Sequence, residues 1–336
     1  MGTREKILEL VREKGPISGA DIGREVGISR QAVHKHLKKL RQEGAVLKEG
    51  AKKGATFRVG TGEPQKIEEK KRCELKGLEE DRVFEEFELL LNLSTRLSEQ
   101  AHDIVYYAFC EMLNNAIDHS FSTYCEIVFS LPPGRVEFDI RDHGVGLFES
   151  IRKKYNLDDE TQALRELLKG KATTMPERHS GEGIFFTSRV GDRVTFRSHR
   201  IHLIFDNKKE DVFVERVPRI EGTEVHFEIA RRSRRDLSEV FNEYAPEEYD
   251  FSFNRTRVHV KLYQDKYMSR SEAGRLLSRL GEFREVILDF EDVRRIGQGF
   301  ADEIFRVFAR NHPEVEIKTE NLARELKAMI EHVIDK

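Results

Sequence analysis

Cysteine is scarce in this sequence, and no stretch of it is apolar over a membrane-spanning length. Cys73, Cys110 and Cys125 are odd in number and show neither CxxC nor His-paired spacing. A disulfide framework and a zinc site are therefore not expected. The N-terminus is charged and amphipathic, unlike a signal peptide, and no apolar run approaches the ~20 residues that span a bilayer. We expect a soluble, cytoplasmic protein without membrane contact.

The charge distribution separates the N-terminus from the rest of the chain. The 336 residues are enough for two or three cores, and the formal net charge is only −3. Residues 1–60 hold 14 Lys and Arg against 7 Asp and Glu, a net of +7, whereas the remainder holds 44 against 54, a net of −10. A basic module on an acidic body predicts contact with nucleic acid at one end.

The pattern of residues 1–60 predicts three helices followed by a two-stranded wing. Ser29 caps the third helix, whose inward face is formed by Val33, Leu37 and Leu40. This pattern resembles the winged helix-turn-helix domains of bacterial and archaeal transcription regulators over the whole module.

That resemblance implies contact with double-stranded DNA through the third helix and the wing. Arg30, Gln31 and His34 would lie nearest the base edges in the major groove. The side chains expected to contact phosphates are Lys35, Lys38, Lys39, Lys52 and Lys53. A winged helix used for protein contact is the alternative, and the net charge of +7 argues against it.

Residues 61–78 are dense in charge and poor in apolar side chains. This composition predicts a linker or a partly helical strap between the basic module and a second domain over 79–232.

A helix near residues 105–119 carries polar side chains on one face. Glu111, Asn115 and Asp118 are spaced i, i+4, i+7, so they lie within about 60° of one another. A neighbouring apolar stripe faces the core, as in any amphipathic helix. A solvated polar face is the simplest interpretation of this segment alone.

Three further motifs follow in a fixed order. Asp142, Gly144 and Gly146 form a DxGxG pattern after a predicted strand, Gly181-Glu182-Gly183 begins an apolar helix, and Gly222-Thr223 begins another strand. Each signal is weak alone, but all four in this order are hard to obtain by chance. At this point residues 79–232 resemble the GHKL ATPase superfamily, which includes DNA gyrase B, histidine kinases and anti-sigma-factor kinases.

The resemblance implies a site for ATP and Mg²⁺. Glu111 would orient or deprotonate the attacking water or hydroxyl, and Asn115 would ligate Mg²⁺, which prefers hard oxygen ligands. Asp142 would accept the adenine amino group, and Thr223 would lie behind the adenine. Asp118 matches the gyrase-like form of the first motif, and His119 the kinase-like form.

The glycines of both motifs would allow backbone to approach the nucleotide. Gly144 and Gly146 would face the base, while Gly181 and Gly183 would bring backbone N–H groups to the phosphates at a helix N-terminus. Residues 152–180 correspond to the lid that closes over ATP in this superfamily. Its candidates for phosphate contact are Lys169, Lys171, Thr173, Thr174, Arg178 and His179. The alternative for each of them is an ordinary solvated side chain of a charged loop.

Residues 250–336 alternate strand and helix three times and resemble STAS domains, the fold of anti-sigma-factor antagonists. The loop that carries a phosphorylatable serine in those antagonists reads Gly297-Gln298-Gly299-Phe300 here and has no hydroxyl. Phosphorylation of this loop by the chain's own ATP site is therefore not expected, and the domain is expected to contact a partner protein or a second copy. A packing domain without a switch is the alternative.

The predicted fold class is a multidomain α+β chain with an N-terminal winged helix, a central GHKL α/β sandwich and a C-terminal STAS-like domain. The leading hypothesis is a DNA-binding, transcriptional regulator whose ATP state changes lid closure, homodimerisation or the geometry of its winged helices, with slow hydrolysis. A serine/threonine kinase of the anti-sigma type, acting on a separate STAS partner, and an ATP sensor without hydrolysis are the alternatives.

Overall fold

A computed structural model describes residues 2–42, 44–50, 55–60, 67–172, 182–247, 252–263 and 267–334 of the chain. The candidates Lys52, Lys53, Thr173, Thr174, Arg178, His179 and Gly181 lie outside these residues. Within them, no helix combines the length and the apolar character needed to cross a membrane.

The N-terminal module folds around a small core of its own. Its elements are α1 (Thr3–Lys14), β1 (Ile17–Ser18), α2 (Gly19–Val26), α3 (Arg30–Gln42), β2 (Val46–Glu49) and β3 (Thr56–Val59). The Ser29 hydroxyl accepts a hydrogen bond from the Ala32 N–H at 3.2 Å, which caps α3 as predicted. Val33, Leu37 and Leu40 are buried. The sheet has three strands, in the order β1-β3-β2, because the short β1 pairs with β3 beside the predicted hairpin.

The central domain is an antiparallel sheet of seven strands, in the order β4-β5-β6-β10-β7-β8-β9. Its strands are β4 (Ile67–Glu74), β5 (Tyr124–Leu131), β6 (Arg135–Asp142), β7 (Arg193–Ser198), β8 (Ile201–Asp206), β9 (Asp211–Arg216) and β10 (Thr223–Ala230). Its helices are α4 (Glu80–Leu91), α5 (Leu93–Arg96), α6 (Glu99–His119), α7 (Leu147–Lys154), α8 (Glu160–Lys169) and α9 (Gly183–Val190). Phe109 of α6 packs edge-on against Phe138 of β6, which stacks on Phe227 of β10, so α6 lies across the middle of the sheet.

The predicted linker over 61–78 is wrong for its second half. Ile67–Glu74 forms β4, the edge strand of the sheet, and pairs with β5 along its whole length. Its charged side chains suit an edge strand, because charge on an unpaired edge discourages pairing with another chain. Cys73 and Leu75 are buried and join this strand to the core.

The C-terminal domain has a parallel sheet in the order β11-β12-β13, as expected from its alternating pattern. Its elements are β11 (Arg255–His259), α11 (Arg270–Leu277), β12 (Glu285–Asp289), α12 (Gln298–Asp302), a π-helical segment (Glu303–Phe308), α13 (Ala309–Asn311), β13 (Glu316–Glu320) and α14 (Arg324–Ile334). An additional helix, α10 (Leu237–Tyr244), connects it to the central domain.

The central and C-terminal domains share a hydrophobic core. Phe185 and Phe186 of α9 belong to the same buried cluster as the C-terminal sheet. The ring of Phe185 lies 4.4 Å from that of Phe253, between centroids, and the ring of Phe186 lies 4.2 Å from that of Phe241. The N-terminal module, in contrast, forms a separate cluster.

Candidate functional site

The candidate nucleotide site is a cavity of about 390 Å³ between α6 and the central sheet. This volume is within the range of small-molecule sites. Most of the predicted residues converge on it from four separate segments. Those that line the cavity are Glu111, Asn115, Asp142, Gly146, Gly183 and Thr223.

Asp142 lies at the end of β6, almost fully buried. Burial raises the pKa of its carboxyl group, while backbone N–H groups of Gly144 and Thr223 donate to the carboxylate and oppose that rise. The Gly144 N–H lies 2.8 Å from Oδ1. A buried acceptor fixed by two backbone donors can present its remaining lone pairs to a ligand donor, as recognition of an adenine amino group requires.

Gly144 holds the loop after β6 against the end of α6. A Cβ at this position would overlap the carbonyl oxygen of Ser120. That same oxygen accepts a hydrogen bond from the Val145 N–H at 2.8 Å. Gly144 itself does not line the cavity, so its contribution is to the shape of the loop rather than to direct contact with the base.

Thr223 joins the loop to β10 from the other side. Its hydroxyl oxygen accepts a hydrogen bond from the Leu147 N–H at 2.9 Å, which fixes the start of α7 next to Gly146. The two motifs, far apart in sequence, thus form one wall of the cavity.

The polar face of α6 forms the opposite wall. Glu111 and Asn115 are half-buried and line the cavity, as does His119 one turn further. The Asn115 side chain lines the cavity, where its amide oxygen can coordinate a ligand. Asp118 is half-buried but is not part of the lining. The helical spacing therefore brought together two of its three predicted residues.

Gly183 begins α9 directly beside Glu111. A Cβ on Gly183 would overlap Oε2 of Glu111 in its present position, so a larger residue here would require the Glu111 carboxylate to move away from the helix N-terminus. The first N–H groups of a helix are anion ligands. The end of the cavity near Gly183 is therefore suited to phosphate, with the Glu111 carboxylate next to it.

This donor set fits a magnesium nucleotide. The amide oxygen of Asn115 is a hard ligand, and it leaves most of an octahedral shell to phosphate oxygens and water, as Mg²⁺ prefers. Among the described residues, no three His, Cys, Asp or Glu side chains are grouped as a metal site.

Two of the lysines proposed for phosphate contact lie elsewhere. Lys169 is buried, and its ammonium group donates to Glu166 at 2.7 Å and to the Ser278 carbonyl at 2.6 Å. The Lys171 ammonium group lies 2.8 Å from the Glu282 carbonyl. Both side chains therefore attach this segment to the C-terminal domain and not to the cavity.

Sequence reasoning missed the aromatic part of the cavity. Tyr107, Phe186 and Phe241 line it, and burial raises the pKa of the Tyr107 hydroxyl. The position of Tyr107 four residues before Glu111 on one face of α6 was the available signal. No local signal could place Phe241, because α10 follows the predicted domain in sequence.

The six described candidates for DNA contact are all on α3. Arg30, Gln31, His34, Lys35, Lys38 and Lys39 are exposed, opposite the buried face of the same helix. This is the arrangement of a recognition helix with a free basic face.

Comparisons with known families agree with the three-part architecture. Residues 2–46 match a winged helix-turn-helix DNA-binding family, residues 82–204 a histidine kinase-like ATPase domain, and residues 272–327 a STAS-like domain of unknown function. The chain therefore combines a winged helix, a GHKL-type ATPase domain and a STAS-like domain. These matches support a DNA-binding regulator with an ATPase domain, and a domain of that type implies ATP binding, typically with Mg²⁺.

Comparisons with individual proteins add little to these family matches. No curated protein matches the chain. One solved structure, a presumptive ICLR transcriptional regulator from Silicibacter sp. TM1040, is 13% identical, and the alignment covers 74% of this chain and 95% of that one. Its TM-score of 0.15 is too low to support an argument about fold.

Proposed function

We propose that this protein is a DNA-binding transcriptional regulator whose affinity or geometry on DNA depends on ATP bound in the central domain. The observation that carries the proposal is the position of α9. Its first residue, Gly183, contacts Glu111 at the candidate phosphate end of the cavity, and Phe185 and Phe186 lie in the core of the C-terminal domain. A ligand that displaces the start of α9 must therefore disturb the packing of the C-terminal domain.

The segment before residues 173–181 is attached to the same domain. The Thr256 hydroxyl donates to the Lys169 carbonyl at 2.6 Å, and the Arg279 guanidinium donates to the Lys171 carbonyl at 3.0 Å. The Tyr263 hydroxyl donates to the Arg165 carbonyl at 2.7 Å. Both flanks of 173–181 are thus held by the C-terminal domain, which makes that domain the first recipient of a change in the nucleotide site.

The residues of the cavity support ATP binding and slow hydrolysis. Asp142 would recognise the adenine amino group, Asn115 would ligate Mg²⁺, and the N–H groups at Gly183 would hold phosphate. When bound, the magnesium nucleotide supplies a phosphoanhydride for hydrolysis. Glu111 would orient the attacking water and take its proton, a role that requires a carboxylate within hydrogen-bond reach of that water.

The proposal includes a homodimer as the form that binds DNA. A dimer would place two α3 helices on two half-sites, and its dimerisation or geometry would change with nucleotide. The C-terminal domain would supply contact with the second copy or with a partner protein.

A mobility shift on genomic DNA fragments, with and without Mg²⁺ and ATP, tests the coupling. We expect the wild type to change its apparent affinity on addition of ATP, and the Asp142→Asn variant to bind DNA with one affinity in both conditions. By linkage, DNA must change the affinity for ATP by the same factor. Identical DNA affinities of the wild type in both conditions, together with identical mobilities of the protein–DNA complexes, would refute the proposal.

The kinase alternative predicts a different product. Incubation with γ-labelled ATP should release free phosphate from an ATPase, whereas a kinase would transfer the label to a STAS partner. His119 is the residue that matches the kinase-like form of the motif, and it lines the cavity. The labelled-ATP assay should therefore be run together with the mobility-shift assay.

A further inference from the structure

Two of the three cysteines face each other across the edge of the central sheet. Cys73 of β4 is paired in register with Cys125 of β5, and both side chains are buried. The Leu75 N–H donates to the Thr123 carbonyl two residues along the same ladder. Because antiparallel pairs alternate, Cys73 and Cys125 form a pair of the hydrogen-bonded kind, with Cα atoms about 5.5 Å apart. That Cα separation is within the range that disulfides span, and the Cβ atoms, which lie about 5.5 Å apart in a pair of this kind, must approach each other by about 1 Å to close the bond.

The two thiol groups also contact each other. A hydrogen bond from the Cys125 thiol favours the thiolate of Cys73 and lowers the pKa of Cys73 to about 7. The same bond raises the pKa of Cys125. A thiol with a pKa near the ambient pH is the best attacking group in thiol–disulfide exchange, since it is partly ionised and still strongly nucleophilic.

The position of the cysteine pair allows an oxidant to reach Cys73 and places the pair next to the candidate nucleotide site. Since β4 is an edge strand, local opening of one ladder exposes Cys73 without unfolding the sheet. On the other side of β5, Cys125 is paired in register with Asp142, so the two thiols and the carboxylate lie in a row on one face of the sheet.

We propose that Cys73 and Cys125 are a reversible disulfide site, oxidised by a small disulfide such as glutathione disulfide, that clamps β4 to β5 beside Asp142. The Cys73 thiolate attacks one sulfur of the oxidant and releases one glutathione. Cys125 then loses its proton and attacks the Cys73 sulfur of the mixed disulfide, which releases the second glutathione. The protein loses two electrons and two protons, and the oxidant becomes two thiols.

This inference is independent of the proposed regulatory function, because it needs neither ATP nor DNA. The third cysteine is a matched internal control. Cys110 is half-buried on α6, and burial raises the pKa of its thiol to about 12, so it is a poor nucleophile.

The test uses the full chain, oxidised with glutathione disulfide, alkylated after denaturation and analysed by peptide mass spectrometry. We expect one cross-linked pair of peptides containing Cys73 and Cys125, with Cys110 alkylated. The cross-link should persist in Cys110→Ser and be absent from Cys73→Ser. Alkylation of both Cys73 and Cys125 in the oxidised wild type, or a cross-link through Cys110, would overturn the proposal.

A second measurement on the wild type does not depend on any variant that folds poorly. Because the disulfide closes a long loop, the oxidised protein should unfold at a temperature several degrees higher than the reduced one. Dithiothreitol should reverse that rise. An equal unfolding temperature in both states would contradict the clamp, whatever the outcome of the DNA-binding assay.

Discussion

The two terminal modules are attached to the central domain in different ways. The C-terminal domain shares a core with α9 and also receives the buried ammonium group of Lys169. Among the described residues of the N-terminal module, eight buried apolar side chains form a separate core, including Val33 and Leu37 of α3. A tightly packed junction transmits small displacements, whereas a module with a separate core has fewer contacts through which to transmit them. We infer that nucleotide acts first on the C-terminal domain and reaches the DNA-binding helices through it or through dimer geometry.

The largest expected effect tests the shared core. Phe185→Ala removes a buried ring from the junction and should lower the free energy of unfolding by about 3–5 kcal/mol. The central and C-terminal domains should lose stability together, which hydrogen exchange of β10 and β12 would show. As the matched control, Leu37→Ala should destabilise only the N-terminal module and leave ATP binding intact. If Phe185→Ala destabilised the C-terminal domain and left the central domain unchanged, the two domains would not share a core in solution.

The next effect concerns a buried charge at the same junction. Lys169→Met leaves Glu166 without its closest cation, and removing one partner of a buried ion pair costs about 3–5 kcal/mol. Lys14→Met in the N-terminal module is the control, since Lys14 and Glu25 form an exposed pair worth about 1 kcal/mol or less. Denaturant unfolding of both variants measures the difference. Equal losses would show that Lys169 is not a structural part of the junction.

A smaller effect is expected from ligand binding. Saturation with Mg²⁺ and ATP should slow amide exchange in α9 and in the C-terminal segments it contacts by about tenfold, or ~1.4 kcal/mol of local stability. Exchange in α1 and α2 should stay unchanged. Asp142→Asn, which should weaken nucleotide binding, is the control. Slower exchange in α1 and α2 alone would contradict the proposal that nucleotide acts first on the C-terminal domain.

The smallest effect is a dependence on pH. Burial lowers the pKa of Lys169 in the folded state below its ordinary value of 10.5. At pH values between the pKa of Lys169 in the folded protein and 10.5, Lys169 is protonated in the unfolded chain but not in the folded protein. The free energy of unfolding therefore rises with pH through that window. The difference in unfolding free energy between wild type and Lys169→Met should therefore increase toward alkaline pH. A difference that stays constant would mean that the pKa of Lys169 is not lowered.

The sequence was most informative where a motif is local. Glu111 and Asn115 share a helical face, and Asp142 and Gly146 share one loop, so short-range spacing was enough to predict that they belong to one site. Asp118 fits the same spacing but is not part of the cavity lining.

Sequence reasoning failed where partners are distant along the chain. Lys169 and Lys171 were predicted as candidates for phosphate contact, yet their partners Ser278 and Glu282 lie more than a hundred residues away. Ile67–Glu74 was interpreted as a linker because an edge strand with charge on both faces lacks the alternation that identifies a half-buried strand. The pairing of Cys73 with Cys125 depends on strand register, which the spacing of cysteines does not give.

The early start of β4 limits the distance between the N-terminal module and the edge of the central sheet. Seven residue-to-residue steps separate Gly60 from Ile67, so even a fully extended connection would be about 25 Å long. Successive major-groove faces recur about 34 Å apart along the duplex. In the proposed homodimer, the distance between the two Gly60 residues could differ from that between the two sheet edges by at most about 50 Å, so the arrangement of the sheet edges would set an upper limit on the operator spacings that can be spanned.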